Sequence, residues 1–215
     1  FLYIVEPEWT SHPTFDPRHL NFALQSLADL NSQLGEELIW VLQGNAVEVF
    51  QKLDSQFQIQ TIFSHEETGL AWSYDRDKNV AELFRSRKMS WMEFPSNGIE
   101  RGLKNRKGWQ KRWYEKMASE LIPLDLAKVK SLIVPPENIG DTSDIQFVNI
   151  RKKLHSSDFR EMQPGGEAKA HKYLKSFTEG RYIGYNRNIS KPEGSRYHCS
   201  RLCPYLAFGT LRTRH

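Results

Sequence analysis

Cysteine is scarce in this chain: among 215 residues there are two, Cys199 and Cys203. Two thiols cannot build a disulfide framework, and their four-residue spacing without a His/Cys partner set argues against zinc. Reduced thiols in an intracellular, cytoplasmic setting are the expectation. Long apolar runs are missing as well. No stretch approaches the roughly 20 residues that cross a bilayer, and Phe1 to Pro7 carries no basic leader. No membrane partner is therefore expected. The first half holds no Gly-x-Gly-x-x-Gly or Walker sequence, which excludes a standard dinucleotide or triphosphate loop there. Repeats and low-complexity segments are absent too. What is present is a 39% hydrophobic composition, enough for a buried core. The net charge of +4 and pI near 9.0 are compatible with nucleic acid without requiring it.

The first 118 residues alternate between strand and helix patterns. Leu2 to Val5 reads as a short buried strand ended by Pro7. Asp16 and Pro17 carry the N-cap and first-turn signals of a helix, and Gly35 its stop. Leu20, Ala23, Leu24, Leu27, Leu30 and Leu34 predict its buried face. Further strands are predicted at Leu38–Leu42, Gln60–Phe63 and Trp91–Phe94, with helices after Gly44-Asn45 and over Trp72–Arg87. This alternation predicts an α/β fold with a Rossmann-like parallel sheet and flanking helices. Ligands of such sheets sit at the C-terminal strand ends, here including Ser64 to Gly69. His65, Glu66 and Glu67 in that loop lack a complete metal-ligand set, so a solvated polar loop is the expectation.

From Ile99 the chain turns basic. Arg101, Lys104, Arg106, Lys107, Lys111 and Arg112 are interleaved with Trp109, Trp113 and Tyr114. Such a mixture can grip a phosphate backbone, but two tryptophans four residues apart share one helix face and are expected to pack inward. Residues 119–164, with Pro123, Pro135, Pro136 and Pro164, read as an interdomain linker with short helical pieces. Residues 165–215 then begin an all-α domain, with a helix from Gly166 to Phe177, a loop over Tyr182–Arg196 and a helix over Leu202–Leu211.

The most informative stretch is Cys199-Ser200-Arg201-Leu202-Cys203-Pro204-Tyr205-Leu206-Ala207-Phe208-Gly209. Small hydroxyl and thiol side chains surround one arginine ahead of an apolar run. Backbone N–H groups at a helix start attract anions, and an arginine pairs with phosphate. The same residues also fit an ordinary polar loop leading into a core helix, which from the residues alone is the commoner case.

With Asn188-Ile189-Ser190-Lys191-Pro192 upstream, this stretch resembles the flavin-binding segment of the DNA photolyase/cryptochrome family. Gly165-Gly166-Glu167-Ala168 and the block from Pro13 to Trp113 are similar to that family too, so the resemblance spans nearly the whole chain. It implies an N-terminal antenna domain lacking its first strand (1–118), a linker (119–164) and the start of an FAD-binding helical domain (165–215), and both ends read as cut from a longer protein. It implies FAD as cofactor, held by Tyr185, Cys199, Ser200, Arg201, Leu202 and Cys203. Cys203 stands where the family usually has serine, and a thiol donates more weakly than a hydroxyl. Arg201 faces phosphate or anchors the loop internally. No catalytic acid, base or nucleophile is implied. Lys191 falls where some members place a basic residue near DNA. The implied activity is light-driven repair of pyrimidine dimers in damaged DNA by a monomer, through an electron lent by excited, reduced FAD. The dimer flips into the enzyme's pocket, a behaviour for which photolyases are themselves a standard example. The alternatives are a cryptochrome-type photoreceptor without repair, and a nucleotide-binding α/β module without flavin. A second antenna pigment is implied by the family. Its folate-type version uses an Asn-Glu pair ahead of an Arg-Asp step. Arg76-Asp77 is present, but Trp72-Ser73 occupy the pair's place, so folate is not the expected pigment.

Overall fold

The computed structural model describes residues 1–35, 38–96, 98–120, 122–123, 125–132, 146–155 and 163–213, the side chains of 151, 154 and 155 excepted. Pro135 and Pro136 of the expected linker lie outside them. The chain divides into two compact units. The first comprises residues 1–15 and 40–148; the second comprises residues 16–39 and 149–213.

In the first unit, β1 (Leu2–Val5) pairs in parallel with β2 (Trp40–Gln43), Leu2 opposite Trp40. β3 (Thr61–His65) pairs in parallel with β4 (Ser90–Phe94), Thr61 opposite Ser90. The parallel pairing agrees with the sequence. Among the described residues that pairing takes the form of two two-stranded ladders. Ile4 of β1 and Ile62 of β3 pack on one core cluster, built from Ala46, Val80, Leu83, Phe84 and Met89. Shared packing thus joins the ladders without hydrogen bonds between β1 and β3. That cluster is supplied by α3 (Ala46–Phe57), α4 (Ala71–Ser86) and Met89 just ahead of β4. Asn45 caps α3 by accepting the Val47 N–H at 3.0 Å. After Val5 the chain turns into a short α1 (Pro7–Thr10).

The second unit is helical. α2 (Pro17–Leu34) begins and ends as its sequence signals require. Asp16 Oδ1 accepts the Arg18 N–H at 2.8 Å, and Gly35 adopts φ 78° to close the helix. Its buried face departs from the leucine repeat. Asn21, Phe22, Ala23, Leu24 and Leu34 are buried, whereas Leu30 is exposed. Four consecutive buried residues mean that the helix is enclosed on every side there, so no stripe is selected.

α8 (Glu167–Glu179) is tied to α2 by an unusual cap. The N–H groups of Gly165, Gly166 and Glu167 donate to Gln25, Ser26 and Asp29 at 2.7, 3.0 and 2.9 Å. Helix N-termini leave such donors without intrahelical partners, and here a neighbouring helix accepts them. Glycine is required at 165, because a Cβ there would run into the Phe22 carbonyl oxygen.

The first unit also holds α5 (Trp109–Ala118) and α6 (Leu126–Leu132), and the second holds α7 (Ile150–His155). In α5, Trp113 packs on Gly98 and beside Trp109, but both tryptophans are only half-buried and Tyr114 is exposed, so the expected inward packing is partial. Arg112 is bound to Glu100 at 2.7 and 2.8 Å. The expected loop over 182–196 is instead a 3-10 turn (Arg181–Gly184), α9 (Tyr185–Asn188) and α10 (Pro192–His198). The final helix, α11 (Cys203–Ala207), is shorter than the predicted Leu202–Leu211, because Gly209 turns to φ 69° and Leu211 folds back into the core.

Candidate functional site

The segment from Cys199 to Cys203 links α10 to α11 and is held from three directions. Underneath, Leu202 and Tyr205 pack into the cluster of Phe22, Ala170 and Leu211. Tyr205 is fully buried, and its hydroxyl donates to the Pro164 carbonyl at 2.7 Å. Burial also raises its phenol pKa. On one side, the Gln163 amide donates to the Arg201 carbonyl at 2.5 Å and accepts from Arg201 Nε at 3.2 Å. On the other, Arg181 donates to the Cys199 carbonyl at 2.6 Å and the Ser200 carbonyl at 3.3 Å.

Arg201 has φ 59°, in the left-handed region that non-glycine residues seldom occupy. Leu202 follows in the right-handed region, at φ −88°, ψ −14°. A left-handed residue next to a right-handed one turns successive N–H groups toward one concavity, an arrangement that binds anions. Ser200 Oγ accepts the Leu202 N–H at a long 3.4 Å, leaving its own proton available to a ligand. A cleft of about 560 Å³ lies on the Arg181 side of the segment, lined by Arg181, Arg187, Asn188, Tyr197 and His198 and by none of residues 199–203. His198 Nδ1 is buried there without a partner.

A second polar constellation occupies the C-terminal strand ends of the first unit. Arg76 of α4 pairs with Glu6, Glu67 and Asp77 at 2.8, 3.0 and 2.8 Å. Arg101 pairs with Glu93 at 2.7 Å and faces Glu66 at 3.8 Å. The loop of His65, Glu66 and Glu67 is therefore an ion network and not the solvated loop expected, because two arginines distant in sequence converge on it. Burial pushes the Glu6 and Asp77 carboxyls above their ordinary pKa values, with Arg76 opposing the shift. Glu66 Oε2, Glu93 Oε1 and Trp72 Nε1 are buried without partners. Among the described residues no group of three His, Cys, Asp or Glu side chains is arranged to hold a metal.

Residues 1–100 match the DNA photolyase family model. Three solved structures share the fold across nearly the whole chain. The cryptochrome of Synechocystis sp. PCC6803 aligns over 99% of this chain at 18% identity, with TM-score 0.67. The family-model match covers the first 100 of 215 residues, and this cryptochrome structure extends the likeness in fold to the rest of the chain. An archaeal photolyase from Sulfolobus tokodaii with two FAD molecules aligns over 99% at 18% identity and TM-score 0.63. A class III photolyase from Agrobacterium tumefaciens aligns over 98% at 19% identity and TM-score 0.61. The chain spans about half of each of those proteins: 47%, 46% and 45% respectively. No curated protein matched.

Against the photolyase/cryptochrome expectation, residues 199–203 lie together as one segment. Cys199 closes α10 and is half-buried; Cys203 opens α11 with its thiol exposed. Arg201 anchors the loop through a neutral contact from its Nε to Gln163, and among the described residues it forms no ion pair. The anion-binding character comes from the backbone, since α11 is too short for a helix dipole to add much. Tyr185 starts α9, edge-on to Phe177 with centroids 5.9 Å apart. No hydrogen bond or ring contact joins it to residues 199–203 among the described residues. Lys191 is exposed, at the N-cap of α10. Sequence reasoning missed Arg181, Gln163 and Tyr205 as the supports of the segment. Tyr205 lay within the quoted motif, whereas Arg181 and Gln163 are single polar residues 18 and 38 positions from what they hold.

The concave backbone at 200–203 and a free hydroxyl proton on Ser200 fit the phosphate oxygens of a diphosphate. On this chemistry the residues present suit FAD. Among the described residues no helix is long and apolar enough to cross a membrane.

Proposed function

We propose that this chain forms part of a flavin-dependent photolyase, the 199–203 segment holding the diphosphate of FAD. The observation that carries this reading is the left-handed Arg201 beside a right-handed Leu202, inside the motif that resembles the family's flavin segment. Ser200 donates its hydroxyl proton and its N–H to phosphate oxygen. The N–H groups of Arg201, Leu202 and Cys203 complete the concavity, and Leu202 packs the segment onto the core. Cys203 contributes through its backbone, its thiol being a weak donor. Tyr185 bounds the flavin side, and Lys191 meets the DNA backbone. FAD, when bound and reduced, supplies the light-driven electron that splits a pyrimidine dimer in DNA; the protein's residues bind, orient and set the field.

The test is a dimer-repair assay on the complete protein. Loss of pyrimidine dimers under blue light, and none in the dark, supports repair. A second reading, a blue-light photoreceptor, draws support from the cryptochrome alignment at TM-score 0.67. Stoichiometric flavin without dimer loss favours that reading. A colourless, flavin-free complete protein contradicts both.

A further inference from the structure

We propose that Arg181 is the positioning residue of the diphosphate segment, an inference that rests on the flavin reading above. Its guanidinium makes four hydrogen bonds. Nη1 donates to the Cys199 carbonyl at 2.6 Å. Nη2 donates to the carbonyls of Tyr173 and Ser200 at 2.8 and 3.3 Å. Nε donates to Ser176 Oγ at 2.9 Å. The group lies 5.7 Å from the Tyr173 ring centroid and 5.9 Å from that of Phe177. Tyr173, Ser176 and Phe177 belong to α8, so one side chain fastens the segment to a helix that is itself capped by α2.

The direction of the two carbonyls is the point. In a trans peptide the C=O of one residue and the N–H of the next point opposite ways. Pinning the carbonyls of Cys199 and Ser200 onto Arg181 therefore aims the N–H groups of Ser200 and Arg201 away from it. These are the donors that open the concavity continued by Leu202. Among the described residues no carboxylate pairs with Arg181; the nearby Glu179 faces Lys175 instead, at 3.8 Å. A half-buried guanidinium bound only to neutral acceptors keeps its positive field, and it stands behind donors that face an anion. Arg181 thus pre-orders the segment and biases it toward negative charge, without touching the ligand.

Arginine is required because a planar fork serves several acceptors at fixed angles, while a lysine ammonium offers the charge from a single point. The experiment compares wild type, R181K and R181M in the complete protein. It measures the FAD dissociation constant at several ionic strengths, and hydrogen exchange of the 200–202 amides without flavin. Losing several charge-assisted hydrogen bonds predicts an increase in Kd of about a hundredfold for R181M and about tenfold for R181K. Faster exchange at 200–202 is expected in R181M. The salt dependence of Kd should persist in R181K and flatten in R181M, which loss of structure alone would not produce. If R181M does not fold, R181K decides: a raised Kd with salt dependence intact supports the proposal, an unchanged Kd overturns it. Unchanged exchange at 200–202 in R181M overturns the positioning role while leaving the flavin reading untouched. Faster exchange with unchanged FAD affinity overturns the flavin reading of this segment, and the proposal with it.

Discussion

The two units place their polar and apolar surfaces in opposite ways. The first folds its charges inward, into the arginine–carboxylate network at the strand ends, and leaves part of a sheet face bare. Phe63, Met92 and Phe94 on β3 and β4 are 64%, 46% and 47% exposed. The second buries an aromatic centre on Tyr205 and presents basic residues and tyrosines outward, among them Arg187, Lys191 and Tyr197. In one unit a charge network supplements an apolar core. In the other, packing maintains the fold and leaves electrostatics for a ligand. The proposed anion-holding role of the 199–203 segment suits the second arrangement, since Arg181 and Gln163, which support it, are not themselves competing anions.

The comparison breaks most readily at its two centres. Tyr205→Ala removes a fully buried ring and is expected to destabilise the second unit by about 4 kcal/mol, read by urea unfolding. An effect under about 1 kcal/mol would mean the aromatic centre is not what holds the segment. Arg76→Met leaves Glu6, only 4% exposed, without its counterion. A cost of about 3 kcal/mol is expected, at the low end for a broken buried pair because Arg76 itself is partly exposed. Glu6→Gln in that background should recover part of it. Tyr205→Phe isolates the bond to Pro164 and should cost about 1 kcal/mol, with faster exchange at 200–203.

Acid sharpens the contrast with smaller effects. Glu6 and Asp77 have raised carboxyl pKa values in the folded chain. The folded state takes up those protons first, so their contribution to stability rises as pH falls through the folded values. Asp16 behaves oppositely. Its hydrogen bonds from Arg18 lower its pKa to about 2, so the stability it gives α2 is present above the ordinary carboxylate range and is lost as pH falls toward that value. In acid titration of stability, Glu6→Gln with Asp77→Asn should remove the rise toward low pH, and Asp16→Asn should remove part of the fall. The smallest change is expected from Phe63→Thr with Met92→Thr. Stability should barely move, while binding of a hydrophobic dye to the first unit should fall.

Much of the fold was legible where the signals are local. Asp16, Pro17 and Gly35 bound α2 because caps act within one turn, and Asn45 sets the start of α3 in the same way. The buried face of α2 was read correctly at Ala23, Leu24 and Leu34 and missed at Asn21 and Phe22, because enclosure on all sides erases periodicity there. The helices between Arg181 and His198 were missed because turns of four to seven residues leave no repeat to read. The candidate segment itself was visible as a motif. Its conformation was not, since the left-handed Arg201 depends on Gln163 and Arg181, whose contacts are set by tertiary packing. The same cause hid the network at Glu66 and Glu67: Arg76 and Arg101 reach it only once the strands are in place.

The most direct measurement is a structure of the complete protein with FAD bound. The account predicts phosphate oxygens within about 3 Å of the backbone N–H groups of Ser200 to Cys203, with the carbonyls of Cys199 and Ser200 still on Arg181. A diphosphate bound elsewhere, with this concavity empty or filled by side chains, would contradict it.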